Sequence, residues 1–337
     1  MLLIVFAFAC GGSSGVSLGT TTGGTTTGTT SSNSTTGSTT GTSTTGSTTT
    51  GSTTSSTTGT PPGGTTAPLR IYVVVFENRA YSEIVGNSAA PFLNSLATQY
   101  TLATNYYANT HPSIGNYFMM TTGEIVTNDD SFNGTVTAAN LARSLDQAGK
   151  SWKVYAESLP ASGYTGGNTG LYLKRHNPFA YLSDVVNSPA EAAKMVPFSQ
   201  FSPDLGNGAT ARFNFIVPNA QSDMHDCPPG MSTCTANDKL AYGDDWLKSN
   251  LTPLLNSADF KQNGILVVAF DESVDTDSAN GGGHIAMIFA GPLVKSGFNS
   301  GTFFQHQNLL GFICDELTLS SCPGQGAAAA GMQEALK

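Results

Sequence analysis

Five short segments of the chain consist mostly of apolar residues, and hydrophobic and polar positions do not alternate within them. Such uninterrupted runs are typical of strands buried on both faces, as in a parallel sheet that is covered by helices. The predicted strands are residues 71–76, 152–156, 213–217, 265–270 and 285–290. The pattern therefore predicts a central sheet in which most strands are parallel.

Segments with the helical spacing of apolar positions lie between these strands. The predicted helices are residues 90–100, 136–148, 239–255 and 307–317. Because strands and helices alternate along the chain, we expect one α/β domain, a three-layer sandwich with helices on both faces of a mostly parallel sheet.

Composition divides the chain into two parts. No Asp, Glu, Lys or Arg occurs before residue 70, so all 14 basic and 23 acidic side chains lie in residues 70–337. Residues 11–68 are almost entirely Thr, Ser and Gly, which bury too little apolar surface to offset the entropy of ordering a chain. We expect residues 11–68 to be a disordered linker and residues 69–337 to be the folded domain.

The first ten residues predict export. Residues 1–9 are apolar, but they are far fewer than the roughly 20 residues that a membrane-spanning helix needs. Cys10, followed by two glycines, resembles the acylated cysteine of a bacterial lipoprotein, and a plain signal peptide is the alternative. We therefore expect an exported protein, either secreted or held at the cell envelope by a lipid on Cys10.

The other four cysteines form two close pairs, Cys227 with Cys234 and Cys314 with Cys322. An even number of closely spaced cysteines in an exported chain indicates disulfides, and of the three possible pairings the spacing favours the local one. A zinc site is the alternative, but neither pair has the Cys-x2-Cys spacing of structural zinc sites. The net charge of -9 also argues against nucleic acid as a partner, which requires a basic surface.

Polar side chains follow three of the predicted strands. Glu77 and Asn78 follow the first strand, Asp271 and Glu272 follow the fourth, and Asp223 comes shortly after the third. In an open parallel sheet these strand ends meet at one edge, where ligands bind. Carboxylates gathered there would raise each other's pKa unless a cation lay among them. The sequence therefore predicts a divalent metal site, although each acid alone is equally explained as a turn or cap residue.

A segment rich in hydroxyl groups, residues 109–117, precedes a short apolar run. Pro112 suits a helix start, which would place Thr110 and Ser113 at or just before a helix amino terminus. Free N–H groups there can receive an anion such as phosphate, and a hydroxyl beside an anion site is what phosphoryl transfer requires. A capped loop without a ligand is the alternative.

These motifs together resemble the phosphoesterase family of bacterial and fungal acid phosphatases and bacterial phospholipases C, in the alkaline-phosphatase-like superfamily. The resemblance covers residues 72–322 and departs from the family's pattern at Ile114 and Gly115, where members commonly show a proline. It rests on residues 73–78, 110–113, 116–117, 174–178, 223–226, 271–272 and 282–284. It implies an alkaline-phosphatase-like fold and a metal-dependent hydrolase of phosphoric esters.

The resemblance also implies a role for particular residues. A divalent cation would be held by Glu77, Asn78, Asp271 and Glu272. Asp223, His225 and His284 would be ligands at a second position or donors to the phosphate, so one ion or two both fit. The implied substrate-binding residues are Asn78, Asn116 and Lys174.

Thr110 and Ser113 are the two candidate nucleophiles, and the similarity to related phosphodiesterases favours Thr110. His111 and His176 are candidates for binding phosphate or protonating the leaving alcohol. We therefore expect an exported acid phosphatase that hydrolyses small phosphomonoesters through a phospho-enzyme. A phospholipase C or other phosphodiesterase is one alternative, and a tethered surface-binding protein with a structural metal is another.

Overall fold

The computed structural model describes residues 67–337. The predicted signal or lipidation segment, residues 1–10, and nearly all of the predicted linker, residues 11–68, lie outside the described residues. Both therefore stay predictions, and so does the domain boundary at residue 69.

The strands of the described residues form one eight-stranded sheet. They are β1 (Arg70–Phe76), β2 (Thr101–Tyr107), β3 (Trp152–Ala156), β4 (Met195–Pro197), β5 (Phe213–Val217), β6 (Gly264–Phe270), β7 (His284–Ala290) and β8 (Phe298–Ser300). Their order across the sheet is β4-β3-β5-β1-β6-β7-β2-β8. All neighbouring pairs are parallel except those of β7, which runs antiparallel to both β6 and β2. The predicted mostly parallel α/β sheet is confirmed.

Helices connect these strands. The α-helices are α1 (Tyr81–Ile84), α2 (Pro91–Gln99), α3 (Ile114–Thr122), α4 (Leu141–Gln147), α5 (Ser183–Val186), α6 (Pro189–Ala192), α7 (Phe201–Gly206), α8 (Ala236–Asn256), α9 (Ala258–Asn263) and α10 (His306–Glu316). Short 3-10 helices lie at Lys174–His176, Pro178–Tyr181, Phe198–Gln200, Ala279–Gly281, Gly324–Ala327 and Gln333–Ala335.

All five predicted strands are confirmed, each within one residue of its predicted bounds. Every residue of β6 is buried, as are all residues of β1 after the first, which explains why neither segment alternates in polarity. Strands β4 and β8 have only three residues each and are too short to show a period. The sequence did not predict them.

The predicted helix at residues 136–148 is wrong in its first part. Helix α4 begins only at Leu141, because the side chain of Asn140 accepts a hydrogen bond from the backbone N–H of Arg143 and caps the helix there. Val136 instead pairs with Leu182 in an isolated β-bridge. Helix α8 conversely starts before the predicted residue 239, because Thr235 caps it.

The topology places the ends of several strands at one edge of the sheet. Strands β5, β1 and β6 are neighbours and parallel, so their carboxyl ends lie side by side. Because β7 runs in the opposite direction, its first residue, His284, lies at the same edge. Loops after β5, β1 and β6 and the segment before β7 therefore meet there.

The two predicted disulfides are present, Cys227 with Cys234 at an S–S distance of 2.04 Å and Cys314 with Cys322 at 2.07 Å. The local pairing is therefore confirmed, and both bonds are consistent with an oxidising compartment. Among the described residues, no helix combines the length and the apolar character needed to cross a membrane.

Candidate active site

The acids that follow β1, β5 and β6 lie together at the sheet edge. The backbone N–H of Glu77 donates to the carbonyl of Asp223 (2.8 Å), and that of Asp271 donates to the carbonyl of Phe76 (2.9 Å). Glu77, Asp223, Asp271 and Glu272 are each at most 2% exposed. The structure therefore brings together the four carboxylates that the sequence analysis singled out.

Asn78 lies between two of these carboxylates. One end of its side-chain amide is 3.2 Å from Oε2 of Glu77 and 3.2 Å from Oε1 of Glu272. Its backbone has a φ of 51°, and its N–H donates to Oδ1 of Asp271 (3.0 Å). With the amide oxygen at this end, three oxygens converge as in a site for a hard divalent cation. With the amide nitrogen there, Asn78 donates to both carboxylates.

The donor set fits a divalent cation. Asp271 Oδ2 is buried and has no hydrogen-bond partner, and buried polar atoms without partners are rare unless a ligand meets them. The groups that would hold the ion are the carboxylates of Glu77, Asp271 and Glu272 and the amide oxygen of Asn78. Hard oxygen ligands of this kind suit Mg²⁺, Ca²⁺ or Mn²⁺.

Burial shifts the pKa values of these carboxyls upward. Burial together with Asp271 and Asp223 raises the pKa of Glu77 well above its ordinary value. Burial raises the pKa of Asp223 to about 8, and burial together with Asp271 raises that of Glu272 to about 10. Without a cation, Asp223 and Glu272 therefore hold protons at neutral pH, and a bound cation would displace those protons.

These shifts predict how the stability of the protein depends on pH and on metal. Because the folded-state pKa values are raised, the folded metal-free protein binds more protons than the unfolded chain between about pH 4 and pH 8. Its stability should therefore fall as the pH rises through this range. We expect Mn²⁺ to raise the Tm more at pH 8 than at pH 5. Thermal unfolding with chelator and with Mn²⁺ at both pH values measures this, and equal increments would contradict it.

Ser113 is the hydroxyl that contacts the acids. Its Oγ donates to Oε2 of Glu77 (3.0 Å), and the residue is 3% exposed. Ser113 immediately precedes the nine-residue helix α3, so the amino terminus of that helix lies beside the acids. The predicted position of Ser113 just before a helix agrees with this structure.

Thr110 is oriented differently. Its Oγ1 donates to the carbonyl of His111 (3.1 Å). Its methyl carbon faces Gly115, where a Cβ would lie 2.6 Å from it and would also overlap Oδ1 of Asn128. Glycine at this position, where the sequence departs from the family's pattern, therefore lets Thr110 and Asn128 pack against α3. The structure gives Thr110 no hydrogen bond to the predicted metal ligands.

Asn116, a predicted substrate-binding residue, is fully buried and holds the backbone that precedes it. Its Oδ1 accepts from the N–H groups of Asn109 (2.9 Å) and Thr110 (3.2 Å), and its Nδ2 donates to the carbonyl of Thr110 (2.8 Å). These bonds account for most of its polar capacity. The structure therefore places Asn116 as a support for the loop before Ser113.

His176 lies between two of the acids and is 1% exposed. Its Nδ1 is 2.9 Å from Oδ2 of Asp223, while its Nε2 is 3.2 Å from Oε1 of Glu77 without a hydrogen bond. Burial lowers the pKa of His176 to about 3, so the ring is neutral and its one N–H points to Asp223. Its Nε2 is then a free acceptor. One possible ligand atom of each of Glu77, His176 and Asp223 lies within 4.8 Å of the other two, close enough to bind the same cation.

Comparison with known proteins identifies the family. The profile of the phosphoesterase family matches residues 84–320. The chain belongs to the phosphoesterase family. It is 34% identical over 243 residues to a phosphatidylinositol-3-phosphatase of Mycobacterium tuberculosis, covering 71% of this chain and 74% of that protein. The family and its relatives support a hydrolase that acts on phosphoric ester bonds.

Fungal acid phosphatases are also similar to this phosphoesterase. A probable acid phosphatase of Kluyveromyces lactis is 28% identical over 253 residues, which cover 72% of this chain and 56% of that protein. An acid phosphatase of Aspergillus fumigatus is 28% identical over 250 residues, which cover 72% and 53%. The chain thus spans about half the length of these fungal relatives.

Solved structures confirm the fold. An alkaline phosphatase superfamily protein of Vibrio parahaemolyticus has a TM-score of 0.52 and 14% identity, covering 75% of this chain and 67% of its own. The lipoteichoic acid synthase LtaP of Listeria monocytogenes has a TM-score of 0.52 and 12% identity, covering 77% and 74%. At such low identity these similarities establish the alkaline-phosphatase-like fold of the phosphoesterase and nothing about its substrate.

His284, a predicted metal ligand, does not lie among the acids of this phosphoesterase. Its ring is stacked between Tyr81 (4.3 Å between centroids) and Tyr107 (4.8 Å), and its Nε2 donates to the carbonyl of Thr104 (2.9 Å). Neither of the two clusters of possible ligand atoms in the described part of the chain includes it. The structure gives His284 a packing role.

The side chains of His225 and Lys174 have partners other than the buried carboxylates. The His225 side chain is 31% exposed, its Nδ1 is 2.8 Å from Asp226, and its Nε2 is 3.3 Å from Arg175. Lys174 is buried, and its Nζ lies 4.3 Å from the centroid of the Tyr181 ring, so it does not point toward Ser113's carboxylate partners. His225 therefore lies at the rim of the phosphoesterase site, and Lys174 lies in the protein interior.

Two residues at the site were missed by sequence reasoning. The hydroxyl of Tyr117 donates to Oε1 of Glu77 (2.6 Å). Arg175 lies beside His225, and its buried Nε has no hydrogen-bond partner, with Oδ2 of Asp130 at 3.4 Å. Both residues belong to motifs that carried the family resemblance. The sequence did not show which basic residue of the Lys174–His176 3-10 helix lies beside His225.

Proposed function

We propose that this phosphoesterase is a metal-dependent phosphomonoesterase of the acid phosphatase type that acts through a phosphoserine at Ser113. The observation that carries the proposal is the hydrogen bond from Ser113 Oγ to Glu77 Oε2 at 3.0 Å, inside a group of buried carboxylates. Thr110, which the family resemblance favoured, donates to a backbone carbonyl instead. The nucleophile of the proposal is therefore Ser113.

The cation would be held by Glu77, Asn78, Asp271 and Glu272. A divalent ion there lowers the pKa of a neighbouring hydroxyl and offsets negative charge on the phosphoryl oxygens. The two carboxylate oxygens that face the side-chain amide of Asn78 and the unpartnered Oδ2 of Asp271 support this assignment.

The chemistry proceeds in two displacements. Ser113 Oγ forms a bond to phosphorus, the bond from phosphorus to the ester oxygen breaks, and the serine proton passes to Oε2 of Glu77. His225 lines a cavity of about 330 Å³ beside Asn78 and gives a proton to the leaving alkoxide. Water then attacks the phosphoserine and gives its proton to His225, and Ser113 recovers its own proton from Glu77.

Arg175, not Lys174, is the proposed phosphate-binding cation. Charge-assisted hydrogen bonds contribute about 1.5–3 kcal/mol, so Arg175→Ala should lower kcat/KM for a phosphomonoester by about 10-fold to 100-fold. The matched variant Lys174→Met removes a charge that faces Tyr181, and we expect it to keep kcat/KM within about threefold while lowering the Tm. Steady-state kinetics on both variants measure this. The reverse order of effects would assign the phosphate to Lys174.

A direct test of the function is phosphate release from p-nitrophenyl phosphate by the metal-free protein with and without added Mn²⁺ or Mg²⁺. We expect hydrolysis that requires metal and is lost with chelator. The diester bis(p-nitrophenyl) phosphate is the matched control substrate. Faster hydrolysis of the diester would favour the phosphodiesterase alternative, and no hydrolysis of either substrate with any divalent metal would contradict the proposal.

A lipid phosphate is a second candidate substrate. The exposed large apolar side chains of the described residues are Ile125, Val126, Met231 and Phe303. Met231 and Phe303 lie in loops beyond the carboxyl ends of β5 and β8, and Ile125 packs beside Gly115 near Thr110. Apolar groups around a site suit substrates in a lipid surface, and the M. tuberculosis relative is named for a phosphoinositide. Phosphate release from phosphatidylinositol 3-phosphate in vesicles, compared with its soluble headgroup, tests this candidate.

Export is also part of the proposal. The two disulfides support an oxidising compartment, and Cys10 resembles a lipidation site. We expect the full chain in the cell-envelope membrane fraction and the Cys10→Ala variant outside it. Membrane association that persists in the variant would remove the lipid anchor from the proposal.

A further inference from the structure

His111 lies beside Glu272, on the side away from Asn78, and adds a nitrogen that could bind a metal. Nδ1 of His111 lies 3.2 Å from Oε2 of Glu272, and its Nε2 lies 3.0 Å from the backbone carbonyl oxygen of Asp277. One ligand atom each of His111, Glu272 and Asp275 lie within 4.8 Å of one another. The family resemblance did not group these three residues as ligands of one cation.

The hydrogen bond at Nε2 decides which nitrogen of His111 carries the proton. A backbone carbonyl can only accept, so Nε2 must donate to Asp277. In the neutral ring Nδ1 is then an acceptor, and it is buried without a hydrogen-bond partner while facing a carboxylate oxygen. Two acceptors at 3.2 Å repel each other unless a proton or a cation lies between them.

We propose that Nδ1 of His111 and carboxylate oxygens of Glu272 and Asp275 bind a second divalent cation. Metal-binding histidines usually donate their other ring N–H to a carboxylate or a backbone carbonyl, as His111 does to the carbonyl of Asp277. The proposal rests on the first cation site of the proposed function, because Glu272 belongs to both.

Glu272 is placed to bridge the two sites. Its Oε1 faces the side-chain amide of Asn78 (3.2 Å), and its Oε2 faces His111 (3.2 Å). A carboxylate that contributes one oxygen to each of two cations is typical of two-metal hydrolytic centres.

The second site differs from the first in chemistry and in access. The first has only oxygen donors, whereas the second adds an imidazole nitrogen, which favours Zn²⁺, Co²⁺ or Mn²⁺ over Mg²⁺. Asp275 is exposed and the His111 side chain is 21% exposed, so the second cation would have positions open to a ligand. Asp275 also lines the cavity beside Asn78, which is the proposed substrate space.

Two other histidines are the rivals for this role. His284 uses its Nε2 to donate to the carbonyl of Thr104, and His225 lies beside Asp226 and Arg175. The family resemblance nominated both of them, whereas the structure points to His111.

Metal binding by the full chain tests the proposal. Metal-free wild-type protein, titrated with Co²⁺ by calorimetry and analysed for bound metal, should bind two equivalents. His111→Asn and Asp275→Asn should each bind one, and His284→Asn should bind two as the matched control. Asp275 is exposed, so its variant should fold normally even if the His111 variant does not.

Nuclear magnetic resonance gives an independent readout. With ¹⁵N-labelled histidine and ¹¹³Cd²⁺, we expect a direct nitrogen–cadmium coupling that disappears in His111→Asn and persists in His284→Asn. The proposal is overturned if both site variants keep two equivalents, or if the wild type binds only one equivalent and shows no nitrogen–cadmium coupling. Binding of no cation at all would overturn the metal part of the proposed function as well.

Discussion

Replacing Ser113 by alanine should reduce kcat for a phosphomonoester by about 10⁴-fold or more, the range seen when a catalytic serine is removed. The reason is that Ser113 provides the only hydroxyl, of the two candidates, that donates to Glu77. Thr110→Val is the matched control, because it removes a hydroxyl but keeps the methyl group that packs near Gly115. We expect Thr110→Val to retain kcat within about 10-fold. Steady-state kinetics with both variants measure the difference.

The phospho-enzyme can be identified directly. Acid quenching during turnover, followed by peptide mass spectrometry, should place phosphate on the peptide that contains Ser113, and the alanine variant should show none. If Thr110→Val is the inactive variant, the nucleophile is Thr110 and the preference from the family resemblance is right. If neither variant loses activity, a covalent route through this segment is excluded.

The second large effect is expected at Glu77. Glu77→Gln should reduce kcat about 10³-fold, because it removes both a cation ligand and the acceptor of the serine proton. The same variant should raise the Tm of the metal-free protein at pH 8 by several degrees. Burial raises the pKa of Glu77, so a neutral side chain is favoured there.

Opposite effects on activity and on stability distinguish this role from simple misfolding. Glu124→Gln, at an exposed position, is the matched control and should change neither kcat nor Tm measurably. A Glu77→Gln variant that keeps its activity would show that Glu77 is neither a cation ligand nor a base. If Glu77→Gln instead lowers the Tm of the metal-free protein at pH 8, the Glu77 carboxylate is stabilised by something other than a proton or a cation.

The strands that could be predicted from the sequence are those that are buried on both faces of the sheet. Strands β1, β5 and β6 need apolar side chains at nearly every position, and this requirement appears directly in the sequence. Strand β2 (TLATNYY) mixes polar residues with apolar ones and was not among the five predicted strands, and its neighbour β8 has only three residues. Local capping by Asn140 overrode a helical pattern that began four residues earlier.

The acids of the site were predictable for the same reason. Glu77, Asp223, Asp271 and Glu272 follow buried strands, so sheet topology alone brings them to one edge. The histidines were not predictable in this way, because each ring can turn toward or away from that edge. His284 begins β7 at the correct edge, yet its ring lies between Tyr81 and Tyr107.

By itself, the sequence determined the positions of the five strands that are buried on both faces, the two disulfide pairs, the family and the gathering of carboxylates, because burial and chain order constrain these features. Only the tertiary structure shows that Ser113 and not Thr110 donates to Glu77, that Lys174 lies over the Tyr181 ring, and that His111 and not His284 lies beside Glu272. Each of these choices depends on where a side chain points within a few ångströms. That direction is set by contacts with residues distant in the chain, such as Glu77 for Ser113 and Glu272 for His111.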